Sequence, residues 1–286
     1  MKQTSTEHRI QRGNWEISAR HYTGTGPAFV LMHGFPDNLH IYDRLLPHLS
    51  GREVITFDFL GWGDSEKPQG YSYTSREQEG DLQAVLDALG VVQVVLVPHD
   101  ASGPVAINWA LDHPERVAAL VLLNTYYAQT PTLRFPEFIA LFADPAHAAL
   151  ARAMTQTPQV AQWLLRWQGE QFGAAAPPPE TLLPFVMHQF ADSPSTFPAF
   201  IALTADLHAT LQANTQRLPQ LATFERPVRI IFGARDPYLN PGVAEQLHEA
   251  FPTPELFLLH AGHWPQLDQP EEVARLLLAV PITAQR

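Results

Sequence analysis

Short runs of continuous apolar residues alternate along this chain with longer stretches whose apolar positions recur at helical spacing. Ala28–Met32, Val54–Phe57, Val94–Val97, Val117–Leu123, Val228–Phe232 and Leu256–Leu259 are the short runs, the fifth broken only by Arg229. Runs without polar alternation mark strands covered on both faces. Between them, Ser75–Leu89 places Leu82, Val85, Leu86 and Leu89 on one helix face and stops at Gly90. Further helices are expected around Ile41–Leu49, over Pro104–Leu111, around Val243–Phe251 and over Glu271–Leu278. Arg9–Gln11 and Trp15–His21, joined by Gly13-Asn14, predict an opening hairpin. The alternation as a whole predicts an α/β protein with a mostly parallel sheet between helices.

From Tyr126 to about Leu218 the pattern changes to helical stretches with many prolines, including Pro177-Pro178-Pro179, read as a rigid loop. This stretch carries Phe135, Phe138, Phe142, Trp163, Trp167, Phe172, Phe185, Phe190, Phe197 and Phe200, most of them expected in packing and the remainder in a pocket wall.

At 286 residues and 45% apolar content, the chain can bury a full core as one domain with an insertion. It has no cysteine, which excludes disulfides and thiol nucleophiles. Its net charge of −11 comes from scattered acids without a basic stripe, which argues against nucleic acid or an anionic membrane as partner and for a neutral or apolar small-molecule substrate. The first residues lack an apolar core, and no stretch has the length of a membrane span, so a soluble, cytoplasmic protein is expected.

The candidate chemistry lies where the apolar runs end. Val94–Val97 leads into Pro98-His99-Asp100-Ala101-Ser102-Gly103-Pro104, a strand-to-helix turn with small residues around an aspartate. A nucleophile on such a turn projects from the carboxyl end of a buried strand. An aspartate there suits attack on an sp3 carbon, because the alkyl ester it forms can then be cleaved by water. Val228–Phe232 leads into Gly233-Ala234-Arg235-Asp236-Pro237, and Leu256–Leu259 into His260-Ala261-Gly262-His263-Trp264. Asp236 is the candidate acid and His263 the candidate base, in the chain order nucleophile, acid, histidine. His260 and His263 lack a third ligand of matching spacing, so no metal is expected, and the chemistry needs no cofactor.

With these segments on one chain, the sequence resembles the α/β-hydrolase superfamily, in the aspartate-nucleophile branch of epoxide hydrolases, haloalkane dehalogenases and mesoderm-specific-transcript-like proteins. His33-Gly34-Phe35-Pro36-Asp37-Asn38 resembles the oxyanion-hole loop of that branch. Asp58 to Pro68 is similar to its loop after the fourth strand, and His263 to Pro270 to its histidine loop. The resemblance implies an α/β-hydrolase fold: a mostly parallel eight-stranded sheet flanked by helices, with a helical cap inserted after strand 6. The main domain would be residues 1–125 and 219–286, and the cap 126–218. It also implies that the backbone N–H groups of Phe35 and Ala101 form the oxyanion hole. His33 is expected to brace its loop, and His99, next to the nucleophile on the strained turn, to point away from the pocket.

The leaving group stays open. Epoxide hydrolases of the family protonate the departing oxygen with two cap tyrosines, whereas this region holds only Tyr126 and Tyr127, with His188 and His208 as other conceivable acids. Dehalogenases bind halide through a tryptophan after the nucleophile and a second donor, positions taken here by Ala101 and Phe35; Trp163, Trp167, Asn38 and Asn124 are the remaining candidates. A fluoroacetate-type enzyme would need arginines beside the nucleophile, and the elbow has none. The reading is epoxide hydrolase-like first and haloalkane dehalogenase-like second. The third is a ligand-binding protein on a hydrolase scaffold with little turnover.

Overall fold

A computed structural model describes residues 5–172, 179–191 and 194–282. Eight strands form one sheet: β1 (Ser5–Arg12), β2 (Trp15–Tyr22), β3 (Thr25–Met32), β4 (Arg52–Phe57), β5 (Val94–Asp100), β6 (Val117–Thr125), β7 (Val228–Gly233) and β8 (Glu255–Leu259). Their order is β1-β2-β4-β3-β5-β6-β7-β8. The opening hairpin and the β2–β4 pair are antiparallel, and β4, β3 and β5 to β8 run parallel. The sheet is covered by α1 (Ser75–Ala88), α2 (Ser102–Asp112), α8 (Pro241–Ala250), α9 (Pro265–Asp268) and α10 (Pro270–Leu278).

Local chemistry explains the element ends. Thr74 caps α1 by accepting the Glu77 N–H at 3.3 Å, and Gly90, at φ +65°, takes the left-handed position just past its end. The apolar runs of β5 and β6 are buried because both faces are packed. Arg229 is tolerated in β7 because its guanidinium is paired with Glu255 of β8 and the Leu276 carbonyl.

One expected helix is absent. Ile41–Leu49 forms two separate 3-10 turns, Leu39–Tyr42 and Leu46–Leu49. Pro47 has no N–H to give the Asp43 carbonyl and its ring crowds that carbonyl, which disfavours a continuous α-helix over so short a stretch.

Between β6 and β7 lie α3 (Glu137–Ala143), α4 (Ala148–Thr155), α5 (Pro158–Gln171), α6 (Pro179–Ala191) and α7 (Phe197–Leu221). Pro177 and Pro178 lie outside the described residues, and Pro179 begins α6. Two devices fasten this inserted stretch to the sheet side. Phe200 of α7 stacks on Phe35 with ring centroids 4.8 Å apart. Gln189 of α6 accepts the Gly63 N–H at 2.8 Å and donates to the Pro36 carbonyl at 2.6 Å. No described helix is long and apolar enough to cross a membrane.

Candidate active site

The turn after β5 places Asp100 at φ +53°, a left-handed backbone that a non-glycine residue adopts only when its surroundings hold it there. They do so from three sides. Thr125 Oγ1 donates to the Asp100 carbonyl at 2.5 Å. Ser102 Oγ has its one hydrogen within reach of the carbonyls of His99 and Met32 and accepts the His99 N–H, so this hydroxyl is spent on bracing the elbow. Gly103 lets α2 approach β6: a Cβ there would lie 1.8 Å from Thr125 Oγ1. Gly34 does the same for the neighbouring loop, where a Cβ would lie 2.6 Å from Asp100 Cβ.

The Phe35 N–H donates to Asp100 Oδ2 at 2.9 Å, and the Ala101 N–H donates to the same carboxylate. The two backbone donors expected from the sequence therefore converge on Asp100. His33 donates from Nδ1 to the Gly34 carbonyl at 2.8 Å and accepts the Phe59 N–H on Nε2 at 3.2 Å, bracing the loop that carries Phe35. Burial pushes the His33 imidazole down to about 4, which keeps it neutral in this role.

His263 and Asp236 meet behind Asp100. His263 Nδ1 donates to Asp236 Oδ2 at 2.6 Å, and its Nε2 lies 4.0 Å from Asp100 Oδ1. Asp236 Oδ1 accepts the N–H groups of Tyr238 and Leu239 at 2.9 and 3.1 Å. Burial opposes the charge on Asp236, but the His263 imidazolium and these hydrogen bonds outweigh it and hold the carboxyl below its ordinary range. Burial also opposes the charge on His263. Asp236, then Asp100 and Asp37, outweigh it and push the imidazole up to about 9. On Asp100 burial wins and raises the carboxyl, against the pull of His263 and the two backbone donors.

Asn124 completes the acid's surroundings. Its Nδ2 donates to Asp236 Oδ2 at 3.0 Å and its Oδ1 accepts the Gly233 N–H at 2.7 Å. Its amide is thus taken up by the acid loop and does not reach the cavity as a leaving-group donor.

A cavity of about 50 Å³ opens on Asp100, Ala101 and His263. Phe35, Phe135, Ile139, Phe172, Leu203 and Leu207 make most of its wall, with polar groups from Tyr126, Arg134, Thr204 and Tyr238. Of the four aromatic residues considered as donors, Tyr126 alone lines this cavity. The other three are corrected by their surroundings. Tyr127 turns the opposite way and donates to Asn108 Oδ1 at 2.8 Å. Trp163 and Trp167 stack on each other along α5, 6.4 Å between centroids, with Trp163 60% exposed, because residues four apart share a helix face and this one faces outward. His188 and His208 border other grooves, and Asn38 points its amide toward the Phe185 carbonyl at 3.5 Å.

Sequence reasoning missed Arg134 and Tyr238, whereas Phe135 and Phe172 are two of the ten aromatics from which it expected a pocket wall. Tyr238 follows Asp236 by two residues, and its hydroxyl is occupied by Glu137 at 2.7 Å and Gln168 at 2.9 Å. Among the described residues no group of three or more acidic or histidine side chains could hold a metal ion.

A sequence model of the alpha/beta hydrolase fold family matches residues 27–270. The chain belongs to that family. Among individual members, stretches of 106 and 126 residues are each 39% identical to a fluoroacetate dehalogenase of Burkholderia and to epoxide hydrolase 2 of Siraitia grosvenorii. These take in 35% and 42% of the chain but only 35% and 40% of those two relatives. Haloalkane dehalogenase 2 of Mycobacterium tuberculosis is 27% identical over 92% of the chain and 93% of its own length. In structure, a haloalkane dehalogenase of Agrobacterium tumefaciens superposes with a TM-score of 0.81 at 23% identity, covering 96% of this chain and 94% of its own. The α/β-hydrolase fold thus accounts for the sheet order and for the three strand ends on which Asp100, Asp236 and His263 stand.

Proposed function

We propose that this protein is a hydrolase working through a covalent ester on Asp100, and that its substrate is a small neutral or apolar epoxide. In this reading residues 126–218 form a cap over the site. Asp100 Oδ1 attacks a ring carbon, the carbon–oxygen bond breaks, and the departing oxygen takes a proton from Tyr126. Asp100 Oδ2 becomes the ester carbonyl oxygen, already held by the Phe35 N–H. His263 Nε2 then removes a proton from water as that water attacks the ester carbonyl carbon. The oxyanion at Oδ2 is stabilised by the two backbone donors, worth roughly 3 kcal/mol each in comparable sites. Collapse expels the diol oxygen, which takes the proton from His263, and the proton left on the Asp100 carboxyl returns to Tyr126, so the diol leaves and all three groups are regenerated.

The charges suit this sequence of steps. Asp100 is one of the anions that hold the proton on His263. Ester formation removes that charge, so the imidazole becomes a better-matched base when it is needed.

Tyr126 carries the choice of an epoxide. It lines the cavity, where burial and then the Asp100 carboxylate raise its pKa, and its hydroxyl has no hydrogen-bond partner among the described residues. A phenol facing the nucleophile is an acid for a departing alkoxide. Halide is the second reading, favoured by the full-length similarity to a haloalkane dehalogenase. Among the described residues, the cavity wall offers it neither an indole nor a side-chain amide N–H.

The test is intact-protein mass spectrometry of His263→Gln incubated with a panel of small epoxides and alkyl halides. The expected result is an adduct on Asp100 with the mass of the intact epoxide. An alkyl adduct from a halide alone selects the second reading. No adduct with either class, in a folded protein, overturns the covalent mechanism for both.

A further inference from the structure

His99 and Asp37 are buried side chains that the mechanism above does not use. His99 precedes the elbow aspartate on the side away from the cavity, and its Nε2 lies 2.8 Å from the His263 carbonyl oxygen. A carbonyl only accepts, so Nε2 carries a hydrogen, and in a neutral ring Nδ1 is then a bare acceptor. That nitrogen faces Asp37 Oδ2 at 3.6 Å, and neither it nor Asp37 Oδ1 has a hydrogen-bond partner. Asp37 Oδ2 also accepts the Trp264 indole N–H at 3.0 Å. Both side chains are shut off from solvent, at 0% and 1% exposure. A carboxylate and a ring lone pair facing each other out of water repel, whereas one proton between them makes a hydrogen bond.

We propose that Asp37 and His99 share one proton as a carboxyl–imidazole pair, and that this pair positions His263 and sets how tightly it holds its own proton. Its catalytic meaning rests on the reading of His263 as the base. The pair grips the loop that carries that residue at two points: His99 holds the main chain of His263, and Asp37 holds Trp264. The Trp264 ring meets the His263 imidazole edge-on with centroids 4.6 Å apart. Through these contacts Asp37 and His99 act as positioning residues.

Burial, opposed by the Trp264 hydrogen bond, raises the Asp37 carboxyl to about 7, and it pushes His99 well down. The proton therefore rests on Asp37 and is donated to His99 Nδ1. While it is held, the pair is neutral. Once it is lost, a full negative charge lies beside His263 and strengthens the hold of that imidazole on its proton. The other titratable groups facing the pair are His33 from the β3 loop, Tyr42, Asp100 on the elbow, Asp236 after β7 and His263 itself.

The experiment is histidine-selective 15N NMR of the whole protein across a pH titration, with His263 assigned through His263→Gln and His99 through His99→Gln. It compares the wild type with Asp37→Asn, whose amide can donate to His99 and accept from Trp264 without a titratable proton. The expected result is a His263 midpoint about one pH unit lower in Asp37→Asn, a tenfold weaker hold. An unmoved midpoint overturns the proposal. Should Asp37→Asn not fold, the wild type alone decides. His99 Nδ1 is expected to change its shift through neutral pH without becoming an imidazolium, and an invariant signal overturns the pair. No substrate enters this measurement, so a missing ester on Asp100 counts against the hydrolase reading and not against the pair.

Discussion

Asp100 is held in a backbone conformation that its own side chain does not favour, with one carboxylate oxygen on the Phe35 N–H and the other facing His263. Asp100→Asn keeps the shape and removes the proposed nucleophile. Steady-state turnover is expected to fall by on the order of 10³-fold or more, with mass spectrometry used to exclude deamidation back to Asp. His263 keeps its proton to about 9 when folded against an ordinary 6.5, so its contribution to stability is complete below about 6.5 and is lost as pH rises through about 9. Thermal melts should therefore show the wild type losing its advantage over His263→Gln across that window; parallel curves would contradict the raised value. The three candidate residues were legible because each follows an apolar run in the chain order that the fold requires. Asn124 was not. Its partners on Asp236 and Gly233 lie more than a hundred residues away, and nothing local to an Asn at a strand end announces such a contact.

At the scale of elements, buried strands were the most legible, since a strand covered on both faces writes its own apolar run. Boundaries moved by a few residues, as hydrogen-bonded ends do. The failure at Ile41–Leu49 came from weighing apolar spacing over one proline. The misplacement of Trp163 and Trp167 had a different origin: helical spacing gives a shared face but not which way that face points. Gln189 illustrates what only tertiary structure supplies, a single amide that fastens α6 to two loops of the sheet side. Gln189→Ala leaves the Gly63 N–H and the Pro36 carbonyl without this partner. A loss of about 1–3 kcal/mol is expected in denaturant titration, typical for a buried polar group left unpaired. Faster amide hydrogen exchange at Gly63 and along α6 would locate the loss.

For the molecule as a whole, the sheet order brings the carboxyl ends of β5, β7 and β8 to one edge, where open α/β sheets bind ligands. This much follows from alternation alone. The cavity above that edge does not, because most of its apolar wall comes from packing between the inserted helices and the sheet side. At about 50 Å³ it admits a small molecule. Leu207→Ala is expected to raise kcat/KM for bulkier epoxides relative to small ones, measured over a homologous series; an unchanged ranking would mean that selectivity is set elsewhere.

Asn124 and Asp236 flank the inserted stretch in sequence and are hydrogen-bonded in space. Asp236 follows β7, the first strand after the insertion, so the acid is held to the end of β6 by a contact that takes in no residue of 126–218. What lies between can be exchanged for a segment of another length or shape while this contact stays in place. Substrate range and reaction chemistry are in this sense separable inheritances: a lineage could diversify the first by recombination without reinventing the second, provided that Asn124 and Tyr126, at the first boundary of the insert, travel with the sheet.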